Sequence, residues 1–344
     1  MSIFTNIKRL EPKIKQLGMT SNTISDISSN NQNININENV KIEKFITLSS
    51  SQERFDDEYS DPDIYSDESE EDSNDLFRKL DQENLDKPLQ LASSASMIFA
   101  QAYEDEQTIP ISKQAILKIQ TALTPKYREV TVRWLIQLNY HFKLTSDTLY
   151  SAVTYFDIYI SHRNIELNEL QLYAAVCYWI SAKIDNRCQP PIAEFNKITN
   201  ENFTLEQFSR AEVNIVTALN FTLNFPTSKF FMRRFLLLTR NDTNLIEITN
   251  FFTEIALQKW EFIEIPPSLC AISAIACAAS ALGYSQDAKA VIHLARYKDY
   301  ELLLNCAQTM LKIGKETTIK QKERGKEIAM FSSLDFDVDI SKNF

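Results

Sequence analysis

Cys177, Cys188, Cys270, Cys277 and Cys306, with His141, His162 and His293, are the side chains best suited to nucleophilic or metal chemistry, and their spacing supports neither. No CxxC pair occurs, four of the cysteines sit in apolar helical runs, and the histidines are scattered. Buried reduced thiols are therefore expected, and a zinc site or other metal centre is not. The four glycines, Gly18, Gly283, Gly314 and Gly325, form no loop that could cradle a phosphate, which sets aside the simplest nucleotide enzymes. What remains is recognition by charged side chains stranded in apolar helical surroundings, because an unpaired buried charge is costly. Arg128 and Asp157 read as a pair stapling two helices, a folding role. Lys183 ends the most apolar helix, where an ammonium suits exposed carbonyls, and Glu212 lies between Phe208 and Val216, on or beside an apolar stripe. Periodicity alone reads Lys183 as an ordinary C-terminal lysine and Glu212 as a solvated glutamate.

The elements that position these residues are helical. Thr124-Pro125 suits the first turn of a helix in which Tyr127, Val130, Trp134, Leu135, Leu138 and Phe142 recur with helical period. A second helix carries Leu149, Val153, Phe156 and Ile160. The third, over 168–184, is apolar nearly all round, which predicts a central position, and its Ala174, Ala175, Ser181 and Ala182 permit close neighbours. A short helix follows Pro190-Pro191. Thr204 and Gln207, in capping-box spacing, start a fifth. Pro226-Thr227 opens a second set over 229–238, 245–260, 268–282, 287–295 and 299–312, with 268–282 as its small-residue centre. Two halves with similar helix counts suggest a duplicated all-α fold.

With 344 residues and 44% apolar content the chain has room for about two domains. The first hundred positions are polar, and residues 1–91 read as a disordered tail containing the asparagine-rich run 30–37. Residues Glu53 to Asp75 hold 12 acidic side chains against one arginine, a local charge of −11 out of −10 for the whole chain, so the remainder carries +1. Ser60, Ser66 and Ser69 precede carboxylates there and are possible kinase targets, although solvated disorder is the plainer reading. The near-neutral remainder gives no footprint for nucleic acid. No signal peptide is read, and no apolar run is long enough to span a membrane.

Over about a hundred residues the first helical set resembles the cyclin box, specifically that of A- and B-type cyclins. The family pattern M-R-A-I-L-V-D-W-L is matched by Tyr127 to Leu135 with Arg128 and Trp134 kept, and E-T-L-x-x-A-V-x-x-x-D by Asp147 to Asp157. K-L-Q-L corresponds to Glu169-Leu170-Gln171-Leu172, and L-L-A-S-K to Trp179 through Lys183. P-P-x-x-x-E-F recurs one residue shorter at Pro190 to Phe195, Y-I-T-x-x-x-Y-T at Lys197 to Thr204, and L-x-F-x-L-x-x-P-T at Leu219 to Thr227. Arg128, Asp157, Leu172, Lys183 and Glu212, all typical of the family, are present together. A weaker likeness continues to Ile313, where Ile265-Pro266-Pro267-Ser268 resembles the family's L-P-S.

The resemblance implies two tandem five-helix domains. A cyclin box with its preceding helix would occupy 92–225, a C-terminal cyclin-like domain 226–313, and a mobile tail 314–344. It also implies a regulatory subunit that activates a cyclin-dependent Ser/Thr protein kinase in cell-cycle progression. Such a subunit has no catalytic residue and no cofactor of its own, and works in nucleus and cytoplasm. Lys183 and Glu212 would grip the kinase's regulatory helix, with Ile180, Ile184, Val216, Phe221 and Leu223 lining an apolar groove around them. A second patch, formed by Tyr127, Val130, Thr131, Trp134, Gln137 and Gln171, would dock R-x-L segments of substrates. Tyr for Met and Thr for Leu make that patch more polar, and Arg133 in place of Asp removes an acceptor, so arginine recognition is expected to weaken. No R-x-x-L or K-E-N degradation motif occurs before residue 100, and Arg233 to Leu236, which fits R-x-x-L, falls in a helix expected to be buried. The alternative is a kinase-independent user of the same fold, such as general transcription factors and pocket proteins, which bind DNA or peptides.

Overall fold

The computed structural model describes residues 81–82, 92–186, 189–199, 201–294, 300–322 and 334–343. All regular structure among them is helical. The acidic block with Ser60, Ser66 and Ser69, most of the expected N-terminal tail, and Cys188 lie outside the described residues. The helices are α1 (Ala92–Glu106), α2 (Lys113–Ile119), α3 (Pro125–Phe142), α4 (Ser146–His162), α5 (Leu170–Asp185), α6 (Ile192–Ile198), α7 (Leu205–Ala218), α8 (Ser228–Leu236), α9 (Thr243–Gln258), α10 (Pro267–Ala281), α11 (Ser285–Leu294) and α12 (Tyr300–Lys322). Short 3₁₀ turns occupy Trp260–Phe262 and Ile340–Asn343.

Two compact units emerge. In the first, formed by Pro110–Asn224 and Leu257–Glu264, α5 packs against α3, α4 and α7. Its alanines at 174, 175 and 182 and its Ser181 are buried, so no bulky side chain holds the neighbours away. Buried Gln120 ties α2 to the loop after α4: its Nε2 donates to Ile160 O (2.6 Å) and Arg163 O (2.7 Å), and its Oε1 accepts from Ile165 N (3.1 Å). Every polar atom of that side chain thus finds a partner, which is what keeps it stable in the core. Helix α7 begins with a capping box, Thr204 Oγ1 accepting from Gln207 N and Gln207 Oε1 from Thr204 N. It ends in a Schellman arrangement, with Phe221 N donating to Val216 O (3.0 Å) and Asn220 N to Thr217 O (3.1 Å). Asn220 takes the left-handed conformation that this stop requires (φ 50°), and Phe221 follows it there (φ 59°).

The second unit is centred on α10, buried from Ser268 to Ala281 and packed against α1, α8, α11 and α12. Pro266, at its N-cap position, offers no capping side chain. The buried Glu106 carboxylate at the end of α1 takes that place, accepting from Ser268 N (2.9 Å) and Ser268 Oγ (2.6 Å). Anions suit helix N-termini, so this contact fastens α1 to α10. Phe99 of α1 stacks on Phe230 (centroids 4.6 Å apart), and Tyr103 meets Phe231 at 5.1 Å. Although α1 precedes the first bundle in sequence, it is part of the second unit. Asp81 joins the same unit through a bidentate ion pair with Arg234, whose guanidinium also lies over the Phe99 ring (5.1 Å). Side-chain exposures of 8% for Arg234 and 13% for Asp81 place that pair largely out of solvent.

The C-terminal stretch differs from the mobile tail expected after Gly314. Helix α12 continues to Lys322, and residues 334–343 fold back within the second unit. Asp335 N donates to Ala281 O (3.2 Å), Asn343 Nδ2 to Ser280 Oγ (2.9 Å), and Ile340 is buried. The helix runs through Gly314, which leaves room for packing: a Cβ there would stand 2.8 Å from Phe252 Cε1 and 3.3 Å from Phe336 Cε1.

Candidate functional site

The two charged pairs sit in different surroundings. Arg128 and Asp157 are both buried, with Nε donating to Oδ1 (2.7 Å) and Nη2 to Oδ2 (2.6 Å). Nη1 also donates to Gln258 O (3.0 Å) and Nη2 to Leu257 O (3.1 Å), carbonyls at the end of α9 that belong to the first unit. Burial pushes the Asp157 carboxyl up, and the guanidinium pulls it back. All the charge is used internally, so the pair has nothing to offer a ligand.

Lys183, in the last turn of α5, meets Glu212 of α7 in an ion pair whose side chains are 29% and 28% exposed. The Lys183 ammonium also lies over the ring of Trp179, 3.9 Å from its centroid. This arrangement is shielded enough for charge to matter and open enough for a partner to reach. Of the residues expected to line a groove there, Ile180 is buried, Val216 and Leu223 are half-buried, and Ile184 and Phe221 are 51% and 75% exposed. The backbone beside this face is fixed from within: Tyr155 OH donates to Leu223 O (2.5 Å), and Phe221 holds a conformation that costs a non-glycine residue roughly 1 kcal/mol or more.

Two residues at this face escaped the sequence reading. Val213, next to Glu212, is 64% exposed and, with exposed Leu205 and half-buried Val216, gives α7 a second apolar set beside its core stripe of Phe208, Ala211 and Ile215. The spacing 205, 213, 216 on one helix held that signal. Trp179 stands one turn before Lys183, the i, i+4 spacing at which helix side chains meet.

The residues of the second patch are less accessible. Thr131 and Gln171 are fully buried, Trp134 is nearly so, Tyr127 and Val130 are half-buried, and Gln137 is exposed. Thr131 Oγ1 turns back to Tyr127 O (2.8 Å), and neither amide atom of Gln171 has a partner among the described residues.

Among the described residues no group of three or more His, Cys, Asp and Glu converges as metal ligands, and no helix is long and apolar enough to cross a membrane. Cys177, Cys270, Cys277 and Cys306 are buried and free, and burial pushes the Cys177 and Cys277 thiols well up.

Known proteins resemble this chain along most of its helical part. A model of the cyclin N-terminal domain matches residues 97–224, and one of the cyclin C-terminal domain matches residues 226–334. Cyclin-A2-1 of Arabidopsis thaliana is 29% identical over 240 residues, covering 67% of this chain and 54% of its own length. G2/mitotic-specific cyclin CLB2 of Candida albicans is 31% identical over 207 residues (60% and 42%), and Cyclin-A1-2 of Oryza sativa subsp. japonica 30% over 226 (64% and 47%). The chain thus spans about half the length of the curated relatives it matches. The crystal structure of a viral cyclin from herpesvirus saimiri shares the fold, with a TM-score of 0.54 at 17% identity over 62% of this chain and 94% of the viral one.

Proposed function

The chain belongs to the cyclin family, as a divergent relative of the A and B types, and from that premise we propose that it is the activating regulatory subunit of a cyclin-dependent protein kinase in cell-cycle progression. The observation that carries this reading is the partly exposed Lys183–Glu212 ion pair joining α5 to α7, with Ile184 and Phe221 exposed. An ammonium has three N–H donors and Glu212 engages one of them, which leaves capacity for carbonyls of an entering helix or strand. The apolar neighbours would lose water on contact, strengthening those polar bonds. In a protein kinase a strand lysine must pair with a glutamate of helix C before the ATP phosphates are positioned. A rigid surface seated against helix C holds it inward and needs no chemistry of its own, and helix-in-groove binding around a central polar anchor fits these residue types. In the same reading R-x-L segments of substrates would dock against half-buried Tyr127 and Val130, with exposed Gln137 as their polar contact.

The test is a pull-down of cyclin-dependent kinase catalytic subunits with the full chain and with the Lys183→Ala, Glu212→Ala double variant, histone kinase activity being read on the beads. Activity is expected with the wild type, and binding by the variant should fall at least about thirtyfold, the effect of losing a hot spot of about 2 kcal/mol. Helicity should be unchanged. A variant that loses its helical circular dichroism would make the pair structural, and no activity with either chain would favour a kinase-independent adaptor.

A further inference from the structure

We infer that Trp179 is a positioning residue for Lys183, holding its ammonium ready for the kinase; the inference rests on the function proposed above and extends the site by a residue outside the expected set. A lysine has four rotatable side-chain bonds, and freezing one on association weakens binding by a factor of roughly two to thirteen. Here two groups oppose that freedom before any partner arrives. Glu212, on α7, draws the ammonium across from α5, and the Trp179 ring, on α5 itself, receives it at 3.9 Å from the centroid. An ammonium over an indole face is attracted by the ring's quadrupole, more strongly where water is partly excluded, and both members of this contact are half-buried. The two constraints come from different elements, so together they limit where the ammonium can go.

The indole contributes its face here, not its polar edge. Trp179 Nε1 is buried and has no acceptor among the described residues. A phenyl ring in its place therefore forfeits no hydrogen bond and keeps a π face, whereas leucine keeps the apolar body and helix propensity but has no π face. Trp179→Phe and Trp179→Leu thus separate the cation contact from packing.

Two readouts test this on the full chain. Reductive methylation with ¹³C retains the lysine charge, and the Lys183 methyl signal is identified by its loss in Lys183→Arg. An upfield ring-current displacement is expected in the wild type, retained in Trp179→Phe and lost in Trp179→Leu. Affinity for recombinant cyclin-dependent kinase catalytic subunits, measured by biolayer interferometry, should fall about threefold to tenfold in Trp179→Leu and recover in Trp179→Phe at unchanged melting temperature. An undisplaced methyl signal in the wild type, or wild-type affinity in Trp179→Leu, would overturn the inference while leaving the kinase reading intact. Failure of the wild type to bind any kinase tested would overturn the kinase reading and this inference with it.

Discussion

A lysine or arginine among apolar helices has two ways to be stable, and this chain uses both. Arg128 spends its donors internally on Asp157 and on two carbonyls, whereas Lys183 meets Glu212 and an aromatic face and stays within reach of solvent. Glu254 follows neither course: half-buried on α9, it has no hydrogen-bond partner among the described residues, and burial pushes its carboxyl up to about 7. Between about pH 4.5, where an unfolded glutamate titrates, and pH 7 the folded state holds the extra proton, so stability should fall as pH rises through that window. Glu254→Gln is expected to flatten the dependence and to melt higher than the wild type at pH 8, as followed by circular dichroism. Lys183 and Glu212 were legible through the resemblance, because periodicity alone could not distinguish a solvated glutamate from one reaching across to another helix. Nothing in the spacing marked Glu254, because its lack of a partner is a property of the packing around it.

At the scale of elements, starts and stops were the legible part. Thr204 with Gln207 and Pro125 at the head of α3 act where their chemistry says they should, since caps are local contacts written in adjacent residues. The end of α12 was not legible, because Gly314 commonly stops a helix and here makes room for two aromatic rings. Gly314→Ala should accordingly destabilise the second unit. The gain in helix propensity is about 1 kcal/mol, and forcing a methyl against the fully buried Phe252 costs about 1–3 kcal/mol. A lower melting temperature is the expected outcome, and an unchanged or higher one would mean that the rings move aside freely. The membership of α1 was hidden for a related reason: its partners Phe230, Phe231 and Ser268 lie more than a hundred residues further along the chain.

For the molecule as a whole, the all-helical class and two bundles followed from periodic apolar stripes and two sets of similar helix count, but the place of Asp81 in the second unit did not. Asp81, next to a polar and acidic stretch, gives no local sign that it closes an ion pair with Arg234. Two truncations bracket it. The chain lacking residues 1–91 should melt below the chain lacking residues 1–80, because removing one partner of a largely buried ion pair costs roughly 3 kcal/mol. Asp81→Asn in the full chain should show the same direction of change, and equal melting of all three would mean that solvent compensates Arg234 fully. The two units also have consequences during synthesis, because neither is a continuous stretch of chain. Helix α1 is translated before α8 and α10, so Phe99 and Tyr103 are made before the side chains they pack against, and Arg128 likewise precedes the carbonyls of Leu257 and Gln258. Chaperone attention during that interval, and insolubility of fragments divided at residue 225, follow from the order in which the chain is made.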